Sequence, residues 1–207
     1  MPIYTKIGDN GQSSLLDGKR VSKDNAFFQI IGDLDEFNAV LGLILSVCVF
    51  EFSKKNKMGF FEKLIDDLKK IQKDLFKLGA EIASLKSSSN KFHPDLSVMP
   101  NSLASLKLVD LESVRELENS IDKIWDQLPK LNNFILPGGC LTSAHLHLAR
   151  AVCRRAERGL VNLGNEIKIR KELYAYINRL SDFLFVLARW VNLKAGNVEH
   201  GINEQKT

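Results

Sequence analysis

The 207-residue chain has little cysteine: three residues, Cys48, Cys140 and Cys153. An odd, sparse set is no disulfide framework and fits a reducing compartment. No zinc-type spacing occurs. His145 and His147 are two apart, so on a helix they point to different sides and cannot share one metal. Long hydrophobic runs are missing. The longest, residues 39–50, is too short to span a bilayer. The opening MPIYTKIGDNG lacks signal or transit character, so a cytoplasmic protein with no membrane partner is expected. Charge of one sign is not concentrated anywhere: the net +4 is spread along the chain. That excludes the clustered basic and aromatic surface that nucleic acid requires. No GKS or GKT follows the glycines, so there is no Walker A loop. No paired Glu-x-x-His segments occur, which argues against a ferritin-like metal bundle. No internal repeat and no Ser-His-Asp or Cys-His set is visible.

What is present is an ordinary globule, 44% hydrophobic and 26% charged, with enough residues for one well-filled core. Residues 1–31 lack helical periodicity and form an irregular or short-strand arm. Residues 32–196 read as five helices, and the polar stretch 197–207 as a disordered tail. Asp33 is a plausible N-cap for a first helix running to about Phe50. The second, about 59–86, repeats Phe61, Leu64, Leu68, Ile71, Leu75, Leu78, Ile82 and Leu85 at spacings of three and four, a bundle-packing stripe. Residues 87–108 form a Ser-, Asn- and Pro-containing connection, expected to be exposed. A third helix, about 109–128, ends at Pro129. The fourth spans about 141–163 and stops at Gly164; the fifth spans about 171–194 and stops near Gly196. The fold class is all-α: a five-helix bundle with an N-terminal arm.

Four segments could carry chemistry. HLARAVCRRAER, residues 147–158, places Leu148, Ala149, Val152, Ala156 and Leu160 on one helix side and Arg150, Arg154 and Glu157 on the other. Two arginines one turn apart can grip a polyanion; alone, the pattern is equally a solvated, salt-bridged face. In the arm, Gly8 and Gly11 let backbone N–H groups turn around an anion, with Ser13, Ser14, Lys6, Lys19, Arg20 and Lys23 adding donors and charge. A plain surface turn has the same ingredients. FILPGGC, residues 134–140, ends in a rigid turn, and Phe134 is either core or a wall for a flat ligand. In the fifth helix Asn178, Asp182 and Arg189 form a polar row with Phe185, opposite Leu180, Leu184, Leu187 and Val191. Such a row in an apolar helix needs partners, which points to a polar site inside the bundle or at a subunit contact.

Taken together with GDLDEFN at residues 32–38, these segments resemble the PduO-type ATP:cob(I)alamin adenosyltransferases. The pieces TKIGDNGQSSL, KRVSK, GDLDEFN, FILPGG, HLARAVCRRAER and INRLSDFLFVLAR occur in the family's order. Residues of about 50–130 match only as helical filler. Ile7, Asn10, Ser13, Cys140 and the stretch Ala26, Phe27, Phe28 depart from the usual pattern.

The resemblance implies transfer of the 5′-deoxyadenosyl group of ATP to the cobalt of cob(I)alamin, giving adenosylcobalamin and triphosphate. It implies a homotrimer with sites between subunits, and Mg²⁺ arriving with ATP. By resemblance Thr5, Lys6, Ile7, Gly8, Ser13, Ser14 and Lys23 hold the nucleotide. Arg154, Arg155, Ala156, Glu157, Arg158 and Asn178 complete that site. Asp35 and Arg150 look like an intersubunit pair, and Phe134 like the residue that blocks the lower face of the corrin. A reductase and a cobalamin-dependent enzyme are the implied protein partners. Two other readings stay open on the residues alone: a non-catalytic bundle that binds nucleotide or corrinoid for delivery, and a plain helical interaction protein.

Overall fold

The computed structural model describes residues 3–4, 6–16, 18–53, 58–85 and 108–202. The expected connection at 87–107 and Thr5 lie outside the described residues. The arm carries a two-stranded antiparallel hairpin, β1 (Gln12–Ser14) and β2 (Arg20–Ser22), with Ser13 opposite Val21. Five helices follow: α1 (Ala26–Ser53), α2 (Met58–Ser84), α3 (Leu111–Trp125), α4 (Leu141–Gly164) and α5 (Lys171–Ala195). The all-α expectation holds.

α1 starts at Ala26, not near Asp33. Asn25 is its cap: the Asn25 side-chain oxygen accepts from Phe27 N over 3.1 Å. Asp33 is therefore inside the helix, and the irregular arm ends at residue 25. Phe27, Ile30, Leu34, Phe37, Leu41, Ile44, Cys48 and Phe52 form its buried line. The rest of α1 is also apolar, with Leu43, Val49 and Phe50 exposed. By length and composition alone this helix could cross a membrane, yet its buried line packs into the bundle core.

Every residue of the α2 stripe from Phe61 to Leu85 is buried. α4 lies between α1 and α5, α2 packs on α1, and α3 packs on α5. Polar contacts close the ring on the far side. Arg170, just before α5, grips Glu81 of α2 through Nε at 2.6 Å and Nη2 at 2.7 Å. Tyr176 of α5 donates to Asp74 of α2 over 2.9 Å. Burial of Tyr176 pushes its phenol well above the ordinary range, with Asp74's charge adding to it, so it stays a neutral donor.

Asp110 caps α3, accepting from Ser113 N over 3.0 Å. α4 has no cap from its own N-cap residue, Cys140. Glu51, near the end of α1, does that work. Its carboxylate accepts from Leu141 N at 3.3 Å, Thr142 N at 3.0 Å and Thr142 Oγ1 at 2.8 Å. α5 ends as expected, with Gly196 at φ 82°.

The tail expected to be disordered is ordered over residues 197–202. Leu136 N donates to His200 O over 2.8 Å and Ile202 N to Phe134 O over 3.0 Å. Its polar composition concealed a segment that docks through backbone groups at a single bridge, Gly201 opposite Ile135; residues 203–207 lie outside the described residues.

Candidate active site

Arg150 and Arg154 line one groove of about 520 Å³, whose walls are Glu118, Ile121, Asp122 and Trp125 of α3 and Arg179, Ser181, Asp182, Phe185 and Val186 of α5. The acids do not all remain free for these two arginines. Arg179 pairs with Glu118 at 2.9 Å and with Asp182 at 3.4 Å. No carboxylate pairs with Arg150 or Arg154 among the described residues. The groove thus holds two guanidinium groups with donors to spare beside apolar and aromatic surface. That arrangement suits an anionic ligand with a flat or apolar part.

Behind Arg150, one turn earlier on α4, sits His147. It is 4% exposed, and neither ring nitrogen has a partner among the described residues; Arg150 Nε is likewise unpaired. The Phe185 ring lies edge-on to the imidazole, with centroids 6.2 Å apart. Burial, with Arg150's charge adding to it, lowers the His147 pKa from 6.5 to about 4. The imidazole is neutral at physiological pH.

Other residues of the HLARAVCRRAER segment divide by face. Arg155 turns to α1, donating from Nε to Asp33 over 2.9 Å and pairing also with Glu36. Arg155 thus pairs with α1 and does not line the groove. Ala156 is fully buried in the core. Glu157 accepts from Asn178 Nδ2 over 2.8 Å, which fixes Asn178 between α4 and α5. Arg158 donates to the backbone carbonyl of Arg154 over 3.0 Å. Leu148, expected on the apolar side, is half exposed.

The arm folds as one turn-rich loop. Lys6 takes φ 59°, Asp9 N donates to Lys6 O over 3.3 Å, and Lys23 N to Gly11 O over 2.8 Å. Arg20 donates to Ile7 O over 2.9 Å. The Lys23 ammonium lies against Gly8, where an added Cβ would be 3.2 Å from Nζ. Lys6, Ile7 and Ser14 are exposed, and Ser13 and Gly8 half-buried. Among the described residues no hydrogen bond or ion pair joins this arm to Arg154. Asp35 lines a separate apolar groove of about 450 Å³ between α1 and α2, with Leu16, Phe28, Phe76 and Asn38. Within one chain Asp35 and Arg150 therefore open on different faces.

Phe134 is 82% exposed and shares a cavity of about 470 Å³ with Leu131, Asn132, Asn133 and Ile202. The turn that follows is tightly anchored. Asn192 of α5 donates to Gly138 O over 3.0 Å and accepts from Cys140 N over 3.1 Å. Ser143 donates to Gly138 O at 3.1 Å and Ala188 O at 2.9 Å. Gly139 has φ 99°, and a Cβ there would collide with Asn192, so only glycine fits.

The sequence pattern described as Cobalamin adenosyltransferase matches residues 3–191. The chain belongs to that family. The Bos taurus corrinoid adenosyltransferase MMAB is 38% identical over 199 residues, covering 95% of this chain and 74% of its own length. Corrinoid adenosyltransferase PduO of Salmonella typhimurium is 39% identical over 189 residues; these cover 91% of this chain and 49% of that protein. A phenylalanine-to-alanine variant of the PduO-type ATP:corrinoid adenosyltransferase from Lactobacillus reuteri, complexed with cobalamin and ATP, superposes with a TM-score of 0.79 at 28% identity, covering 98% of this chain and 100% of that one.

Within this adenosyltransferase fold, reading the sequence missed Asn192, Ser143 and Glu51. Asn192 carried a usable signal, since a buried amide in an apolar helix needs partners. Glu51 carried none, because its role depends on where the end of α1 meets the start of α4.

Proposed function

We propose that the groove carrying Arg150 and Arg154 is where this adenosyltransferase aligns ATP with the corrinoid. The reaction is that of the family: the 5′-deoxyadenosyl group of ATP passes to the cobalt of cob(I)alamin, giving adenosylcobalamin and triphosphate. Co(I) attacks the 5′ carbon, the C5′–O bond breaks, and triphosphate leaves with the bonding electrons. Cobalt supplies the nucleophile, so the protein's tasks are position and charge control.

The observation that carries this assignment is Arg154, a guanidinium with no carboxylate partner among the described residues, in a groove where Arg179 takes Glu118 and Asp182. It is suited to the growing charge on triphosphate. The arm loop of Lys6, Ile7, Gly8, Ser13 and Ser14, with Lys23 beside Gly8, would supply the other phosphate donors from a neighbouring copy. Thr5 keeps its expected place in that set. Glu157, Asn178 and Arg158, one turn or less from Arg154 or bonded to its neighbours, would reach the nucleotide beyond the groove's own lining, while Arg155 and Ala156 hold α4 in place. Mg²⁺ would arrive with the nucleotide and offset part of the triphosphate charge.

A homotrimer supports the shared site. α1 is apolar on its outer face as well as its inner one, as a helix covered on both sides is. Asp35 on that helix and Arg150 on α4 are each without an ion-pair partner among the described residues, and each lines its own groove. A head-to-tail contact would join them. Phe134 would exclude the lower axial ligand of Co(II), easing the one-electron reduction that a reductase supplies. Three free, buried cysteines suit a reducing cytoplasm.

The test is anaerobic incubation of the chain with ATP and chemically reduced cobalamin. The expected result is the visible spectrum of an alkylcobalamin with matching triphosphate release. Also expected is that ATP raises the melting temperature. Absence of product with reductant in excess would overturn the assignment.

A further inference from the structure

Beyond Asn197, whose N–H donates to Asn192 O over 2.9 Å at the end of α5, two further contacts fasten the tail. At one end the antiparallel bridge between Ile135 and Gly201 holds it to the Phe134 loop, through Leu136 N to His200 O and Ile202 N to Phe134 O. At the other, Glu199 accepts from Arg189 Nε over 3.0 and 3.2 Å. Arg189 is 2% exposed. Its Nη2 donates to Pro129 O over 3.0 Å, and its guanidinium carbon lies 5.4 Å from the Trp125 ring centroid. One guanidinium thus ties together α5, the tail, the chain leaving α3 and the last residue of α3.

Two ladder bonds alone are a weak hold on residues 197–202, because ordering a chain end costs conformational entropy at every residue. The Glu199–Arg189 pair adds a side-chain anchor in the middle of the segment. Removing the carboxylate would strand a buried guanidinium without its counter-charge, so docking of the tail and pairing of Arg189 are coupled. The two backbone bonds flank Phe134: its own carbonyl accepts one, and the amide two residues on donates the other. Ile202 is also in the same cavity wall as Phe134.

The geometry points to Glu199 as a positioning residue for Phe134: its pairing with Arg189 docks residues 197–202 as a strap, and the strap fixes the backbone that aims the Phe134 ring at the corrinoid. This rests on the reading of Phe134 as the wall beneath the corrin ring. Glu199 touches no reacting atom; it acts through the strap.

Two substitutions in the full chain test it. Glu199→Gln removes the charge and keeps the size. Ile202→Pro, at an exposed position, removes the N–H that Phe134 O accepts, together with the Ile202 side chain. Glu199→Gln is expected to speed hydrogen exchange at the Leu136 and Ile202 amides by about tenfold or more. Both substitutions are expected to raise the corrinoid KM by about fivefold or more while leaving the ATP KM within about twofold. Both are also expected to reduce the base-off Co(II) spectrum formed with ATP. Unchanged exchange in Glu199→Gln overturns the latch. Faster exchange with unchanged corrinoid KM and Co(II) spectrum overturns the link to Phe134. Should Glu199→Gln fail to fold, Ile202→Pro with wild-type corrinoid kinetics overturns the proposal by itself. If the unsubstituted chain makes no adenosylcobalamin, the active-site reading fails, and hydrogen exchange still decides whether the latch exists.

Discussion

Arg155 and Asp33 join α4 to α1 through an Nε–Oδ1 hydrogen bond of 2.9 Å, while Arg154, the preceding residue, lines the groove on α4's other side. Neighbouring arginines in one motif are thereby divided between holding the fold and facing the ligand. The hydrogen bond that Arg155 donates to Asp33 raises the Arg155 pKa further, so the guanidinium stays charged throughout the working range.

That division predicts opposite phenotypes. Arg154→Ala should abolish adenosyl transfer and leave the melting temperature within about 1 °C, since an exposed, unpaired side chain contributes little to stability. Arg155→Ala should lose about 1 kcal/mol or less, because its pair is partly exposed and screened. It should keep the ATP KM within about twofold. Thermal melts and steady-state kinetics of both variants check this. A folded Arg154→Ala enzyme with near-normal turnover would contradict its role.

Phe134→Ala removes a ring that is 82% exposed, so stability should change by less than about 0.5 kcal/mol. The expected change is in the cobalt spectrum. The variant should bind cobalamin but fail to move Co(II) to its base-off form in the presence of ATP. An unaltered spectrum would remove Phe134 from the mechanism.

Glu51 takes two backbone N–H groups and one hydroxyl at the start of α4. Glu51→Ala should therefore destabilise by about 1–2 kcal/mol. At this chain length each kcal/mol lowers the melting temperature by about 2–4 °C. Ser or Thr in place of Cys140, the N-cap position, should recover part of the loss. No recovery and no destabilisation would show that α4 needs no cap.

Much of this architecture was legible because helix periodicity is local. The α2 stripe needed only spacings of three and four, and every residue in it is buried. The stops at Gly164 and Gly196 followed from residue chemistry. The start of α1 was hidden because Asp33 read as an N-cap, although the Ala26–Ile31 stretch continues the same buried line through Phe27 and Ile30. The docking of residues 197–202 was not legible because its backbone bonds leave no mark on side-chain pattern, and Glu199 meets Arg189 only through packing. The polar row of α5 was visible, but its members separate: Asn178 goes to Glu157, Asp182 to Arg179, and Arg189 to Glu199. Which partner each finds is set by tertiary packing, which no single helix encodes.

His147 predicts an acid limb in stability. Its folded pKa, about 4, is below its ordinary 6.5. The unfolded chain thus binds the extra proton between these values and the folded chain does not. The contribution is complete above pH 6.5 and is lost as pH falls toward 4. The described groups facing the ring are Arg150 on its own helix and the uncharged Phe185 of α5. In His147→Phe the loss of stability between pH 6.5 and 4.5 should be smaller than in the unsubstituted protein. Denaturant titrations at pH 4.5, 5.5 and 7 measure it, and parallel pH profiles would refute it.

Asp35 and Arg150 provide the sharpest test of a site shared between copies. Neither has an ion-pair partner among the described residues, and their grooves open on different faces. If the two meet across an interface, Asp35→Arg places like charges together and should dissociate the assembly, lowering turnover about 100-fold or more. The exchange Asp35→Arg with Arg150→Asp restores opposite charges and should recover the assembly, with turnover improved over either single variant. Light scattering gives the mass and the adenosylcobalamin assay the activity. Recovery in the double variant cannot come from contacts within one chain, because the grooves are separate there. If Asp35→Arg assembles and turns over normally, the two residues do not meet, and the shared site loses its main electrostatic support.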